Sequence, residues 1–471
     1  MKPIKKLNIK ISIFLISIII ISGYFFISSI IGNDRFNDLK SILNLDQKKL
    51  VRDYIFPYKV ISQQKKLILQ LEKKISQLKK NIKSIDWAVI ELQKKKEGSE
   101  IITKENIVKL SNNKTLKEYN LTSGFIYGIN NIVPGSGYID FYEGDIIVLS
   151  SRGVLAFKKN IEDIKENFQQ IKNNINEFIG IKQFEKNRWF SIKDIFIFNN
   201  RVFISYTEEI KKDCWNTSII YGDMNYENIK FEKLFSPKEC VHSTNNIDKA
   251  FNAGQSGGKI ISFNDNHILF SIGDYRSRHL AQDIKSVNGK IIKVNIDNGD
   301  YQIISMGHRN PQGLYFDKEN NFILETEHGP QGGDEINLIE INKINNDKIQ
   351  NFGWAISSAG EHYGLKGEGN KTTYEKYPLY KSHTEQGFIE PLKSFVPSIG
   401  ISEIVKVEQN KYVVSSLIDQ SLYFFELNEQ NQIINLNRVE VFERVRDLRF
   451  NNSQLYLFIE DTASIGVINL N

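Results

Sequence analysis

From residue 140 onward the chain keeps returning to one short pattern. A polar turn is followed by about four β-formers and often closes on Ser or an acid. It reads "GDIIVLS" at 144, "NRVFIS" at 200, "NHILFS" at 266, "NNFILE" at 320, "NKYVVSS" at 410 and "SQLYLF" at 453. Another short strand follows each, such as "GVLAF", "GKIIKVNI", "SLYFFEL" or "IGVINL". Six such units over about 350 residues predict an all-β fold, a six-bladed β-propeller. A pair of β-sandwiches is the rival architecture, and it explains the recurrence less well. The spacing is uneven: about ninety residues separate the fourth and fifth units, which predicts a long loop there. That loop carries "NFGWAISSAGEHYGLKGEGN" and is expected at the end of the channel where a site is built.

Two other periods precede the β-rich region. Ile68, Leu71, Ile75, Leu78, Ile82, Ile85, Val89 and Leu92 alternate three and four apart, which is a heptad seam. Ile or Val at the first position and mostly Leu at the second favours a parallel two-stranded coiled coil, and so a homodimer through residues 68–92. Lys74 and Lys79 would face each other across that dimer, and a single amphipathic helix packed on its own domain is the alternative. Further upstream, "ISIFLISIIIISGYFFISSIIG", Ile11 to Gly32, holds no charge and is long enough to span a bilayer core of roughly 30 Å. Lys2, Lys5, Lys6 and Lys10 precede it and would stay in the cytoplasm. The expected plan is therefore a cytoplasmic tip and transmembrane anchor (1–33), a helical coiled-coil stalk (34–110) and the propeller (120–471). It predicts a single-pass protein of the cell (inner) membrane with its propeller periplasmic or otherwise extracytoplasmic.

Composition changes this picture little. A hydrophobic content of 41% supplies a substantial core, and a net charge of +5 gives no argument for nucleic acid as a partner. Cys214 and Cys240 either pair or remain two thiols.

Special residues crowd into "GHRNPQGLYF" (307–316) and "ETEHGPQGGDEINLI" (325–339). Arg309 offers a planar fork suited to a carboxylate or a conjugated anion, and Asn310 adds a donor and an acceptor. Pro311 and Gly313 fix a tight turn at a strand end. The loop "GPQGG" can turn backbone carbonyls inward toward a hard cation such as Ca²⁺, with Asp334 and Glu335 holding it. The plainer reading is a pair of tight turns with solvated charges.

"GHRNPQGL", "EHGPQGGDEINLI" and "NFGW" together resemble the glucose/sorbosone dehydrogenase family, the soluble PQQ-dependent aldose dehydrogenases. "SIGDYRSRHLAQDIKSVNGKIIKVNIDNG", "SFVPSIGIS" and "RVRDL" support the likeness, which covers roughly residues 120 to 471. The resemblance implies a six-bladed propeller that oxidises the anomeric carbon of an aldose sugar by hydride transfer to PQQ, with Ca²⁺ supporting the quinone. Carried over residue by residue, it places PQQ contacts at Arg309, Asn310, Arg444 and Arg446. It places Ca²⁺ on the backbone carbonyls of Gly329 and Pro330, and the acid that orients the catalytic histidine at Asp274. Two positions depart from the family pattern. An ungapped count back from Asp274 puts Gln255 at the catalytic His position, and Ile418 stands where a PQQ-contacting Lys is expected. A Gln cannot take a hydroxyl proton, and general base catalysis is typically worth about 10²–10⁴-fold.

Three functions follow as expectations. The first is a membrane-anchored PQQ-dependent sugar dehydrogenase with Gln255 and Asp274 at the catalytic position. The second is a catalytically degenerate propeller that binds a carbohydrate or a protein partner. The third is a Ca²⁺-dependent propeller hydrolase or lactonase, whose Asp/Asn ring is not evident in the sequence.

Overall fold

All six repeated units fold as the second strand of a blade: Asp145–Ser150, Arg201–Lys211, His267–Ile272, Phe322–Glu327, Lys411–Ser416 and Gln454–Ile459. The computed structural model describes residues 64–78, 100–101, 104–111, 114–121, 136–344 and 349–471. Among these, six sheets of four or five strands, antiparallel except for the short parallel pairing of Gln350–Asn351 with Tyr301–Met306, and one two-stranded pair make up the β structure. The inner strands are Gly137–Tyr142, Ile192–Phe198, Gly257–Asn264, Pro311–Asp317, Ile401–Glu408 and Val445–Asn451, blades 1 to 6 in that order. Each touches the next, and the sixth touches the first, so the ring closes around an axis.

The second strands are apolar without alternation because each blade is covered on both faces by its neighbours. Ile147, Val148 and Leu149 are consecutive and each is 0% exposed. The cores accordingly lie between blades: Phe203, Phe270 and Ile292 between blades 2 and 3, and Leu324, Tyr412 and Phe425 between blades 4 and 5. Two-residue hairpins join inner to second strands where the sequence has a polar pair. Both turn residues have positive φ at Glu143–Gly144 (51° and 91°), Asn199–Asn200 (50° and 58°) and Asn452–Ser453 (49° and 62°). That conformation matches the twist of the paired strands and suits Asn and Gly.

Closure of the ring joins the two ends of the β region. Thr115–Asn120 pairs with Ser464–Asn469, with Leu116 opposite Ile468 and Asn120 opposite Ser464, and Lys104–Lys109 adds outside it. The β structure thus begins before residue 120. Cys214 and Cys240 are joined in a disulfide, their Cα atoms 5.3 Å apart, beside Trp215, which stacks on Phe190.

The N-terminal expectations are corrected. Among the described residues no helix is long and apolar enough to cross a membrane. Ile11–Gly32, from which the anchor was read, lies outside the described residues. The single-pass topology and the inner-membrane and periplasmic placement are not retained. Of the stalk, residues 64–78 form one helix, about two heptads long. Its seam residues Ile68, Leu71, Ile75 and Leu78 are all exposed, and no second helix packs on them among the described residues. The parallel coiled coil and the homodimer drawn from residues 68–92 are withdrawn on that ground. The remainder of the seam, from Ile82 to Leu92, lies outside the described residues.

Candidate functional site

The chemistry gathers where loops enter the inner strands, at one end of the axis. There a cavity of about 260 Å³ is lined by residues from every blade. Blade 1 contributes Tyr138, blade 2 Lys193 and blade 3 Gln255. Blade 4 contributes Arg309 and Asn310, blade 5 Ser402, and blade 6 Arg444 and Arg446. Of the residues singled out in the sequence, Gln255, Arg309, Asn310, Gly329, Pro330, Ile418, Arg444 and Arg446 all line it. Asp274 does not; it is fully buried behind Gln255.

Arg309 and Asn310 are presented by a turn that only glycine permits. Gly307 has φ +75°, and a Cβ there would lie 2.1 Å from Asn351 Oδ1. Below the turn, Glu327 Oε2 accepts the backbone N–H of Arg309 at 2.6 Å and of Asn310 at 3.4 Å. The Arg309 guanidinium donates through Nη1 to the carbonyl of His328 at 2.7 Å. It also lies over the rings of Trp354 and Tyr363 at 5.4 and 5.9 Å. Asn310 Oδ1 accepts the Gly257 N–H at 3.1 Å and so ties blade 4 to blade 3.

Gln255 is held on three sides. With its amide nitrogen toward Asp274 it donates to Oδ1 at 3.0 Å. Its oxygen then accepts from Arg309 Nη2 at 2.8 Å and from Asn252 Nδ2 at 3.2 Å. An amide nitrogen has two hydrogens, so one N–H of Gln255 remains for a ligand. Asp274 also accepts Trp354 Nε1–H at 2.7 Å and the Arg276 backbone N–H at 2.7 Å. Burial pushes the Asp274 carboxyl above its usual range, while Arg309 and the Trp354 bond pull it back.

The second special loop folds around Asp334. Its Oδ1 accepts the Gly329 N–H at 3.0 Å, and its Oδ2 accepts those of Gly400 and Ile401 at 2.7 and 3.0 Å. Gly333 has φ +74°, and a Cβ there would sit 2.4 Å from the Gly360 nitrogen. His328 precedes this loop and lines the cavity, and its Nε2 is buried with no hydrogen-bond partner. On the opposite wall, Arg444 and Arg446 share Glu460, at 3.2 and 2.6 Å. Ser136 Oγ donates to the same carboxylate at 2.7 Å.

Sequence reading missed three contributors. Lys193 sits at the start of blade 2's inner strand; its ammonium donates to the Trp189 carbonyl at 2.8 Å. Burial, and then Arg446 and Arg152, hold its pKa down to about 7. Trp189 lines the cavity from the loop before that strand, and Tyr363 lines it from the long loop. None has a local signature; only ring closure brings them beside Arg309. Neither His362 nor His279 lines the cavity. His362 is buried against the Tyr377 carbonyl at 2.8 Å, and His279 lies 3.4 Å from Asp248.

Deeper along the axis the inner strands carry a second set of charges. Lys259 contacts Glu403, and lies 3.2 Å from Asp194 and 3.5 Å from Asp447. Arg449 lies 2.9 Å from Asp447, 3.4 Å from Asp140 and 3.6 Å from Glu403. Five blades thus contribute to a buried network, and four of its members, Asp194, Lys259, Glu403 and Asp447, form the floor of the cavity.

Comparison with known proteins agrees with this geometry. Residues 190–468 match the model of the family described as "Glucose / Sorbosone dehydrogenase". An uncharacterized protein of Synechocystis is 28% identical over 224 residues, covering 41% of this chain and 50% of that one. The aldose sugar dehydrogenase YliI of Escherichia coli is 23% identical over 294 residues, covering 56% of this chain and 71% of the relative. The chain thus spans about half the length of the first of these relatives. The PQQ-bound aldose sugar dehydrogenase of Streptomyces coelicolor superposes with a TM-score of 0.52 at 16% identity, over 73% of this chain and 96% of that one. At that identity the likeness shows the propeller fold. Gln255 is bonded into the site on three sides rather than left over. The degenerate-propeller alternative, which rested on reading Gln255 as a lost base, is therefore dropped.

Proposed function

Because the chain belongs to the glucose/sorbosone dehydrogenase family, we propose that its axial cavity serves an oxidoreductase reaction in which an aldose hydroxyl is oxidised beside a bound PQQ. Fold and family are those of an oxidoreductase superfamily; the cofactor and the sugar are our reading. One observation carries it. Lys193, Arg309, Arg444 and Arg446 converge from three blades on one cavity, with the aromatic rings of Trp189 and Tyr363 beside them. A planar polyanion matches that set, since guanidinium forks bind carboxylates in a plane and stack on conjugated faces. The unpartnered Nε2 of His328 is a further polar atom awaiting a ligand. The carbonyls of Gly329 and Pro330 would hold Ca²⁺ at the same wall, with Asp334 fixing their loop.

When bound, PQQ supplies a quinone able to accept a hydride from the carbon that bears the hydroxyl. The chain's own part is positioning and proton handling. Gln255 has its oxygen engaged by Arg309 and Asn252, so it meets a substrate oxygen as a donor through its remaining N–H. It orients the hydroxyl and does not take the proton. Asp274, directly behind Gln255 and raised by burial, is the carboxylate placed to receive that proton through water.

The test is a spectroscopic titration of the full chain with PQQ, with and without Ca²⁺, followed by dye reduction with a panel of aldoses. One equivalent of PQQ, bound more tightly with Ca²⁺, and reduction with at least one aldose are expected. A folded chain that binds no PQQ under either condition sinks the proposal.

A further inference from the structure

Blade 4 contains a group of buried acids that the cavity does not use. Glu325 and Glu327 lie two apart on the second strand, and Glu335 and Asn337 two apart on the third, Asp334–Glu340. The register sets Glu325 opposite Asn337 and Glu327 opposite Glu335, so all four project from one face of the sheet. Glu325 is 0% exposed, Glu327 3% and Glu335 5%. Like charges on facing strands repel, and buried charges need partners. Among the described residues, no Lys or Arg forms an ion pair with any of the three; only His308 and His383 approach them. Burial and the neighbouring carboxylates push Glu325 and Glu335 well above their usual range.

His308 completes the group from the loop that carries Arg309, and it is 0% exposed. Its Nε2 is 2.8 Å from Ser305 Oγ, and its ring stacks on Phe352 at 5.0 Å. With Nε2–H donating to Ser305, Nδ1 turns a lone pair toward Glu327 Oε1 at 3.4 Å and Glu325 Oε2 at 3.8 Å. An imidazole lone pair facing two carboxylates is unfavourable unless a proton or a cation stands between them.

We propose that His308, Glu325 and Glu327 form a closed structural site for a divalent first-row metal ion, Zn²⁺ by ligand chemistry, in the interior of blade 4. The ligand atoms all lie within 4.8 Å of one another. Tetrahedral ligands at about 2.1 Å from zinc stand about 3.4 Å apart, close to the two separations from Nδ1. Orphaned atoms point the same way. Glu325 Oε1 and Asn337 Oδ1 are both buried with no hydrogen-bond partner. Asn337 Nδ2 bridges Glu325 Oε2 at 3.0 Å and Glu327 Oε1 at 3.2 Å, the outer contact that fixes ligating carboxylates. Ser305 plays that part for the imidazole. One imidazole with carboxylates suits Zn²⁺ better than the all-oxygen sets that calcium prefers. Glu327 gives its other oxygen to the Arg309 and Asn310 N–H groups, so the ion would brace the loop that presents them.

The site is distinct from the cavity and does not depend on PQQ. The experiment is metal analysis of the full chain produced with zinc supplementation and purified without chelator, beside Glu325→Gln, which keeps the side-chain volume. About one equivalent of zinc is expected in the parent chain and under a tenth in Glu325→Gln. A His308→Gln variant, checked for fold by circular dichroism, should lose zinc to the same degree. Refolding the parent with a chelator should lower its melting temperature, with recovery on adding Zn²⁺ and no such response in Glu325→Gln. Absence of zinc from the folded parent overturns the site. So does retention in both variants, or loading by calcium alone.

Discussion

Two sets of charges share the propeller axis, and they are built on opposite terms. In the deep network every cation is shared among carboxylates of several blades: Lys259 among three and Arg449 among four. Burial pushes Glu403 up to about 8 even beside Lys259. At the cavity the cations are under-compensated. Among the described residues Lys193 donates to a carbonyl, Arg309 to an amide oxygen and a carbonyl, and Arg444 and Arg446 divide one carboxylate. A closed set of charges is a fastener between blades. An open set facing a cavity is a binding surface. The two sets meet within six residues: Arg444 and Arg446 belong to the cavity wall, Arg449 to the fastener, and Asp447 is a fastener residue that reaches the cavity floor.

The largest effect should come from opening the fastener. Lys259→Met leaves Asp194, Glu403 and Asp447 with Arg449 alone, and removing one partner of a buried ion group typically costs about 3–5 kcal/mol. Urea unfolding should show that loss, while the folded fraction, with Lys259 changed on the cavity floor and the wall cations intact, loses far less PQQ affinity than Arg309→Met does. Next in size is Arg309→Met at the cavity, where losing a buried hydrogen-bonded cation should weaken PQQ binding about 10²–10³-fold. Its cost in unfolding free energy should be much smaller. If the two variants exchange phenotypes, with Lys259→Met abolishing binding and Arg309→Met unfolding the chain, the division of the axis is wrong.

The same contrast explains what could be read in the sequence. The second strands announced themselves because burial on both faces demands runs such as "IIVLS", and the polar pairs before them mark the hairpins. The closing strands did not. Lys104–Lys109 and Thr115–Asn120 lie at the outer side of the last blade and read as "KENIVK" and "TLKEYN", with too few apolar residues to stand out. The pairing of Thr115–Asn120 with Ser464–Asn469 is also the longest-range strand pairing in the ring. At the site, Arg309, Asn310 and the Gly329 loop were legible because tight turns need Gly and Pro at fixed places. Lys193 and Tyr363 were not, since each stands alone in its segment. Glu325 and Glu327 read as strand residues, and nothing in "FILETE" tells that both face the interior. The anchor and the stalk were read from local periods in residues 11–92. Of these, the structure describes only a helix at 64–78.

Lys193 offers the finest test of the difference between the two regions. Its ammonium is held down to about 7 by burial, Arg446 and Arg152, with Glu460 pulling the other way. Below pH 7 the free protein carries the charge, and above it the amine is neutral. A polyanion in the cavity favours the charged form, so binding above pH 7 must take up a proton. The dissociation constant for PQQ should therefore be flat below about pH 7 and rise about tenfold per unit above it, as one linked proton requires. Lys259, already paired with three carboxylates and raised in pKa, gives no such slope. Lys193→Met should bind about tenfold more weakly at pH 6 and lose the slope between pH 7 and 9. His328, Asp334 and the arginines are unchanged in that variant, so any slope that persists belongs to them. Persistence of the full slope would show that Lys193 does not face the ligand, and that the cations of the cavity wall differ from those of the fastener only at the arginines.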